Sequence, residues 1–122
     1  MAILFFDTET TGMWQFKNRT LNPKQPNLVQ LGALLTDDDG KELAAFSTLV
    51  FPESTWTMEP GAQAVHGISM DDMEQYGICL PNVINVFEDM YTAAHKVVAH
   101  NIKFDTRVMR KAYHEMDIPE EG

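Results

Sequence analysis

The sequence predicts an α/β domain: a three-stranded antiparallel meander, then a helix, a strand and a helix, giving a mixed sheet with helices packed on it. Three observations predict it. A short apolar run opens the chain, and two strand-like runs flank an Asp-Gly turn. Two segments with helical apolar spacing then bracket the brief apolar run Val97-Val98-Ala99. A length of 122 residues suits one domain.

Ala2 to Phe6 is continuously apolar, as in a strand buried on both faces. Residues 13–27, rich in Asn, Pro, Lys and Gln, read as a loop. Val29 to Thr36 is the second strand, residues 37–40 the turn, and Leu43 to Phe51 the returning strand. Pro52 to Pro60 breaks the pattern, and Gly61 to His66 reads as a short helical turn. Ser69-Met70-Asp71-Asp72 has the form of a capping box, with Asp in place of the usual Glu, and opens another short helix. Pro81 suits the first turn of a longer helix running to about Ala94, whose apolar positions are Val83, Ile84, Phe87, Met90 and Tyr91. The last helix spans about Asn101 to Met116, with Asn101 as N-cap and Phe104, Val108, Ala112 and Met116 four apart.

The net charge of −9 argues against a protein that coats nucleic acid non-specifically. Basic residues nevertheless cluster: Lys96, Lys103, Arg107, Arg110 and Lys111 surround one acid, Asp105, and Lys17, Arg19 and Lys24 follow Gly12. On charge alone these are solvated faces, although acidic enzymes do bind nucleic acid through local patches and bound cations. Trp14 and Phe16, interleaved with Lys17 and Arg19, fit either a stacking clamp for a strand or a packed loop. No run of about 18 apolar residues exists and no secretory signal opens the chain, so no membrane partner is expected. The single cysteine, Cys79, has no internal disulfide partner, which fits a reducing cytoplasmic setting.

The chemistry-bearing residues begin with Asp7 and Glu9, directly after the apolar run. Residues two apart in extended chain share a face, with Cα atoms roughly 6.5–7 Å apart. Two carboxylates so placed can ligate metal ions jointly, and all-oxygen ligation favours Mg²⁺ or Mn²⁺ over zinc. Thr8, Thr10 and Thr11 add hydroxyls and N–H groups able to hold a substrate's sugar and terminal hydroxyl, and Gly12 permits a tight exit. Asp105 stands at the start of an apolar helical face, one turn inside the last helix. Alone it reads as a first-turn Asp favoured by the helix dipole. If its strand lies beside the first one, three carboxylates converge on one metal site. His66, just before a glycine at a helix end, reads by itself as a cap or packing residue.

Phe-Asp-Thr-Glu-Thr-Thr-Gly (6–12), then Ala62 and Ala64 to Ile68, then Val-Ala-His-Asn-x-x-Phe-Asp (98–105) closely resemble the DEDD exonuclease superfamily. Within it the likeness is to the proofreading subunit of bacterial replicative DNA polymerases, over roughly residues 1–116. The resemblance implies a ribonuclease H-like fold with a mixed five-stranded sheet, and removal of nucleotides from DNA or RNA 3′ ends by two divalent metal ions. It implies Asp7, Glu9 and Asp105 as the metal-binding acids, Thr8, Thr10 and Thr11 at the 3′-terminal nucleotide, and His66 lining the same pocket. His100, Asn101 and Phe104 match the residues that support the last acid. A DNA polymerase is the protein partner it suggests.

One motif departs. The family's third motif is a histidine followed five positions later by an aspartate, whereas His114 is followed at that spacing by Pro119. The expectation is therefore a domain lacking the general base, the fourth carboxylate, the last strand and the last helix, with an open sheet edge at Val98. Proton transfer worth roughly 10²–10⁴-fold would go with the base. Two further readings follow: a catalytically impaired module that binds metal, nucleic acid or a polymerase-type partner, and a chain that self-associates through the open edge.

Overall fold

The computed structural model describes residues 1–115. Its elements are β1 (Ala2–Thr10), β2 (Leu28–Asp37), β3 (Glu42–Leu49), α1 (Pro60–His66), α2 (Met70–Tyr76), α3 (Leu80–Ala93), β4 (Lys96–Ala99) and α4 (Ile102–Glu115). The expected last member of the final helix stripe, Met116, lies outside the described residues. The sheet order is β3-β2-β1-β4, with the first three strands antiparallel and β4 parallel to β1. The expected meander and mixed sheet are thus present.

Local chemistry accounts for the element ends. The Asp37 carboxylate accepts the N–H groups of Asp39 and Lys41, and Gly40 takes the left-handed φ of 86° that the tight β2–β3 turn requires. The capping box at α2 is complete: Ser69 Oγ accepts from the Asp72 N–H, and the Asp72 carboxylate accepts from the Ser69 N–H. Those two bonds hold the Asp72 carboxyl below its usual range. Leu80, Val83, Ile84, Phe87 and Met90 of α3 are buried, and Phe87 meets Phe6 edge-on at 5.2 Å between ring centres.

Two features differ from the sequence expectation. β1 does not stop at Phe6 but runs to Thr10, because a polar side chain costs a strand nothing while its backbone stays in the ladder. Thr8 pairs with Leu31 and Glu9 with Gln30. Nor is β1 buried on both faces: Leu4, Phe6, Thr8 and Thr10 are buried, whereas Phe5 and Asp7 are exposed. Among the described residues α3 and α4 cover one face and leave Phe5, Leu34 and Val98 flooring a shallow cleft of about 420 Å³ that reaches Asp7 and His100. Among the described strands β4 is an edge.

Gly77 ends α2 where the chain crosses the β3 end, and Phe51 N–H donates to Ile78 O. A Cβ there would overlap Met73 O, Phe51 N and Val50 C, all main-chain atoms that cannot swing aside. At Gly61, inside α1, a Cβ would meet nothing. Gly77→Ala is expected to cost about 1–3 kcal/mol, and Gly61→Ala to gain about 0.5–1 kcal/mol. Opposite shifts of the two urea midpoints check this; equal shifts would contradict the packing at Gly77.

Candidate active site

The parallel pair β1–β4 brings two carboxyl ends to the same end of the sheet, with Phe6 beside Ala99. Beyond that point β1 presents Asp7 and Glu9 on one face, and β4 turns through His100-Asn101 into α4. Asn101 opens that helix: its carbonyl accepts the Asp105 N–H at 2.9 Å and its side chain makes a long contact of 3.5 Å to the Phe104 N–H. Phe104 packs half-buried against the core. Asp105 is therefore delivered, only 2 % exposed, against β1. Thr8 Oγ1 donates to Asp105 Oδ1 at 2.5 Å, while Asp105 Oδ2 is buried with no hydrogen-bond partner among the described residues.

The acids feel one another. Burial pushes the Asp105 carboxyl above its usual range and the Asp7 charge adds to this, against the Thr8 and Asn101 hydrogen bonds. Glu9 is likewise raised, by burial first, then by Asp7 and Asp105, with His66 opposing. Among the described residues no three His, Cys, Asp or Glu side chains already stand close enough together to hold an ion. The donor set still fits one: it is all oxygen, mutually repelling, and includes a buried carboxylate oxygen with no other partner.

The three threonines are buried and their hydroxyls are engaged internally. Thr8 serves Asp105, Thr10 Oγ1 donates to Gly12 O, and Thr11 Oγ1 accepts from the Asn27 N–H. His66 braces α1 against the end of β1. Its Nδ1 lies 3.0 Å from the Ile68 N and its Nε2 3.0 Å from Thr10 O, so the ring bridges the end of α1 and β1. The Glu59 N–H donates to Thr11 O, and the Glu59 carboxylate packs against Gly12, in the space a Cβ there would take.

Two residues escaped the sequence reading. Lys111, counted there among surface cations, is buried: its Nζ donates to Asn27 Oδ1 (2.6 Å), Gln25 O and Pro26 O and pairs with Glu115 at 3.7 Å. Its position, three after Val108 and seven after Phe104, lies on the buried stripe and was the available signal. Gln25, also buried, ties the 13–27 loop together through Gln15 and Asn18. The loop aromatics divide: Trp14 is a core residue, and Phe16 is exposed. Cys79 is a free, exposed thiol, and no helix among the described residues is long and apolar enough to cross a membrane.

Residues 4–121 match the family model of the RNase_T exonucleases. No curated protein matches the chain. Similar solved structures include product-bound exonuclease I (TM-score 0.81, 20% identity, 96% of this chain and 26% of that one). Escherichia coli exonuclease I with a dA16 oligonucleotide is similar too (TM-score 0.81, 20% identity, 96% and 24%), as is its metal-free complex with ssDNA (TM-score 0.78, 21% identity, 93% and 23%). The chain spans about a quarter of the length of these proteins, and at such identities the likeness is one of fold. The narrower likeness to polymerase proofreading subunits rests on the motifs alone. A family match over nearly the whole chain, on a ribonuclease H-like mixed sheet, shows that this chain belongs to the RNase_T exonuclease family, a family of nucleic-acid hydrolases.

Proposed function

We propose that the domain is a 3′→5′ exonuclease that removes nucleotides from the 3′ ends of single-stranded DNA or RNA. Two divalent ions, Mg²⁺ or Mn²⁺, would be held by Asp7, Glu9 and Asp105. The observation that carries this is the buried, unpartnered Oδ2 of Asp105, on a carboxyl that feels Asp7 and is felt by Glu9. Such an arrangement is costly for folding alone and is relieved by a cation. The ions supply Lewis acidity and charge neutralisation at the scissile phosphate. The chain's own part is positional. Thr8 fixes the Asp105 carboxylate, Asn101 sets the start of its helix, and His66 and Glu59 lock α1 beside the strand that carries Asp7 and Glu9. Exonuclease I structures with dA16 and dT13 oligonucleotides support a single strand as the ligand class.

Linkage gives a test. Glu9 and Asp105 have raised folded-state values, so the folded chain binds more protons than the unfolded chain in the window above the ordinary carboxylate range. The contribution of these two groups to metal-free stability is full at acidic pH and falls as pH rises through those raised values. Glu115, raised by burial, acts in the same direction, while Asp72, lowered by Ser69, gives up stability only at more acid pH. Mg²⁺ or Mn²⁺ should raise Tm more at pH 7.5 than at pH 5, a hundredfold excess over Kd adding about 2.7 kcal/mol of stability, and chelation should remove both the gain and nucleotide release. A melting curve unmoved by either ion at pH 7.5 would remove the metal site from the proposal.

A further inference from the structure

We infer that Phe16 and Arg107 form a stacking platform for an unpaired base of single-stranded nucleic acid, set apart from the acids and feeding a strand toward them. This rests on the exonuclease reading and extends it to residues outside its motifs. The guanidinium carbon of Arg107 lies 5.1 Å from the Phe16 ring centre and covers one face of the ring. Phe16 is nevertheless 64 % exposed, so its other face is open to solvent. Arg107 has no acidic partner among the described residues, and its Nε is buried there without a hydrogen bond. An arginine held by a ring and not by a carboxylate keeps its charge available for phosphate.

The surroundings match that chemistry. Lys103 and Arg107 are four apart on α4 and share a helical face. Lys111, four further on, is bonded into the 13–27 loop, which shows that this face looks onto the loop. The same loop exposes Lys17 and Arg19 next to Phe16. It is also firmly built. Trp14 is buried in the core, Gln25 bonds Gln15 on both backbone atoms, and Lys111 anchors Gln25 and Pro26. Phe16 is thus held out on a braced support, four residues beyond Gly12, where β1 hands over to the loop. A chain of net charge −9 that sets Arg107 on one exposed aromatic ring, with exposed Lys17 and Arg19 beside it in sequence and Lys103 on the same helix face, has a local site for an anionic, stackable polymer. Stacking reads no sequence and no 2′ hydroxyl, so the shared chemistry is an unpaired base with its flanking phosphates.

Fluorescence anisotropy in EDTA, where cutting is prevented, tests this with three labelled probes: a thymidine dodecanucleotide, its uridine counterpart, and an abasic strand of equal length. Phe16→Ala is expected to weaken the two base-bearing strands about ten- to hundredfold and the abasic strand hardly at all, with Phe16→Trp restoring affinity. The strand that loses more identifies DNA or RNA as the better occupant. Arg107→Gln should weaken all three and reduce the salt slope by about one. Phe16→Ala binding both base-bearing strands like the parent, or losing the abasic strand equally, overturns the platform. If the parent releases nucleotides but Phe16→Ala leaves binding untouched, the platform fails and the exonuclease stands. If the parent releases none but Phe16→Ala still loses the base-bearing strands, the nuclease reading fails and the platform stands.

Discussion

Asp105→Ala is expected to slow nucleotide release by about 10³-fold or more, since losing several kcal/mol of charge stabilisation at the reacting phosphate corresponds to that factor. The same substitution should not harm the fold. The carboxylate it removes is buried, half-satisfied and repelled by Asp7, so the metal-free variant should melt no lower than the parent. Loss of activity with retained or raised Tm is the signature of a residue kept for chemistry. Thr8→Val sharpens the point. It keeps the shape of a buried side chain and deletes only the hydroxyl that holds Asp105 Oδ1. Activity should fall about 10–100-fold, the usual effect of removing a ligand's hydrogen-bonded support. Single-turnover rates with saturating Mn²⁺ measure both. Asp105→Ala retaining parental rates would detach Asp105 from the reaction.

Lys111→Met is expected to destabilise the domain by about 3 kcal/mol, read from urea unfolding. The methionine fills the space of the lysine stem but leaves Gln25 O, Pro26 O and Asn27 Oδ1 without their donor and Glu115 without its cation. Its pH dependence is distinctive. Burial lowers the Lys111 value in the folded chain, so the folded state binds fewer protons than the unfolded one between that lowered value and the ordinary lysine value. The parent should therefore gain stability as pH rises through that alkaline window, and the variant should lack the gain. Since Asn27 O also accepts the Thr11 N–H, the damage should reach the end of β1: the variant's metal affinity should fall with its stability. A variant that unfolds at the parental midpoint would show that Lys111 is not a structural tie.

The elements whose signals are local were legible from the residues. The Asp-Gly turn, the Ser69–Asp72 capping box, Pro81 in the first turn of α3 and the Asn101 start of α4 are all set by neighbours within four positions. What was hidden depends on distant chain. The polar stretch Asp7 to Thr10 stays in the sheet because β2 is long enough to pair with it. Lys111 looks like a surface cation until three carbonyl oxygens of the 25–27 segment surround it. Trp14 and Phe16 are indistinguishable by type, and only the core reached by one and not by the other separates them. In the site, the shared face of Asp7 and Glu9 follows from strand periodicity. The Thr8–Asp105 bond does not, because it joins two motifs through the parallel β1–β4 pairing. The contact of His66 with a carbonyl of β1 is likewise one of distant chain.

The most direct test of the exonuclease is digestion of a 5′-labelled single strand, DNA and RNA in parallel, with Mg²⁺ or Mn²⁺ and with Asp7→Ala as control. The expected result is a ladder that shortens one nucleotide at a time from the 3′ end and is absent in the control. Intact strands in both parallels from a folded, metal-loaded chain would contradict it and favour a domain that holds nucleic acid without cutting it.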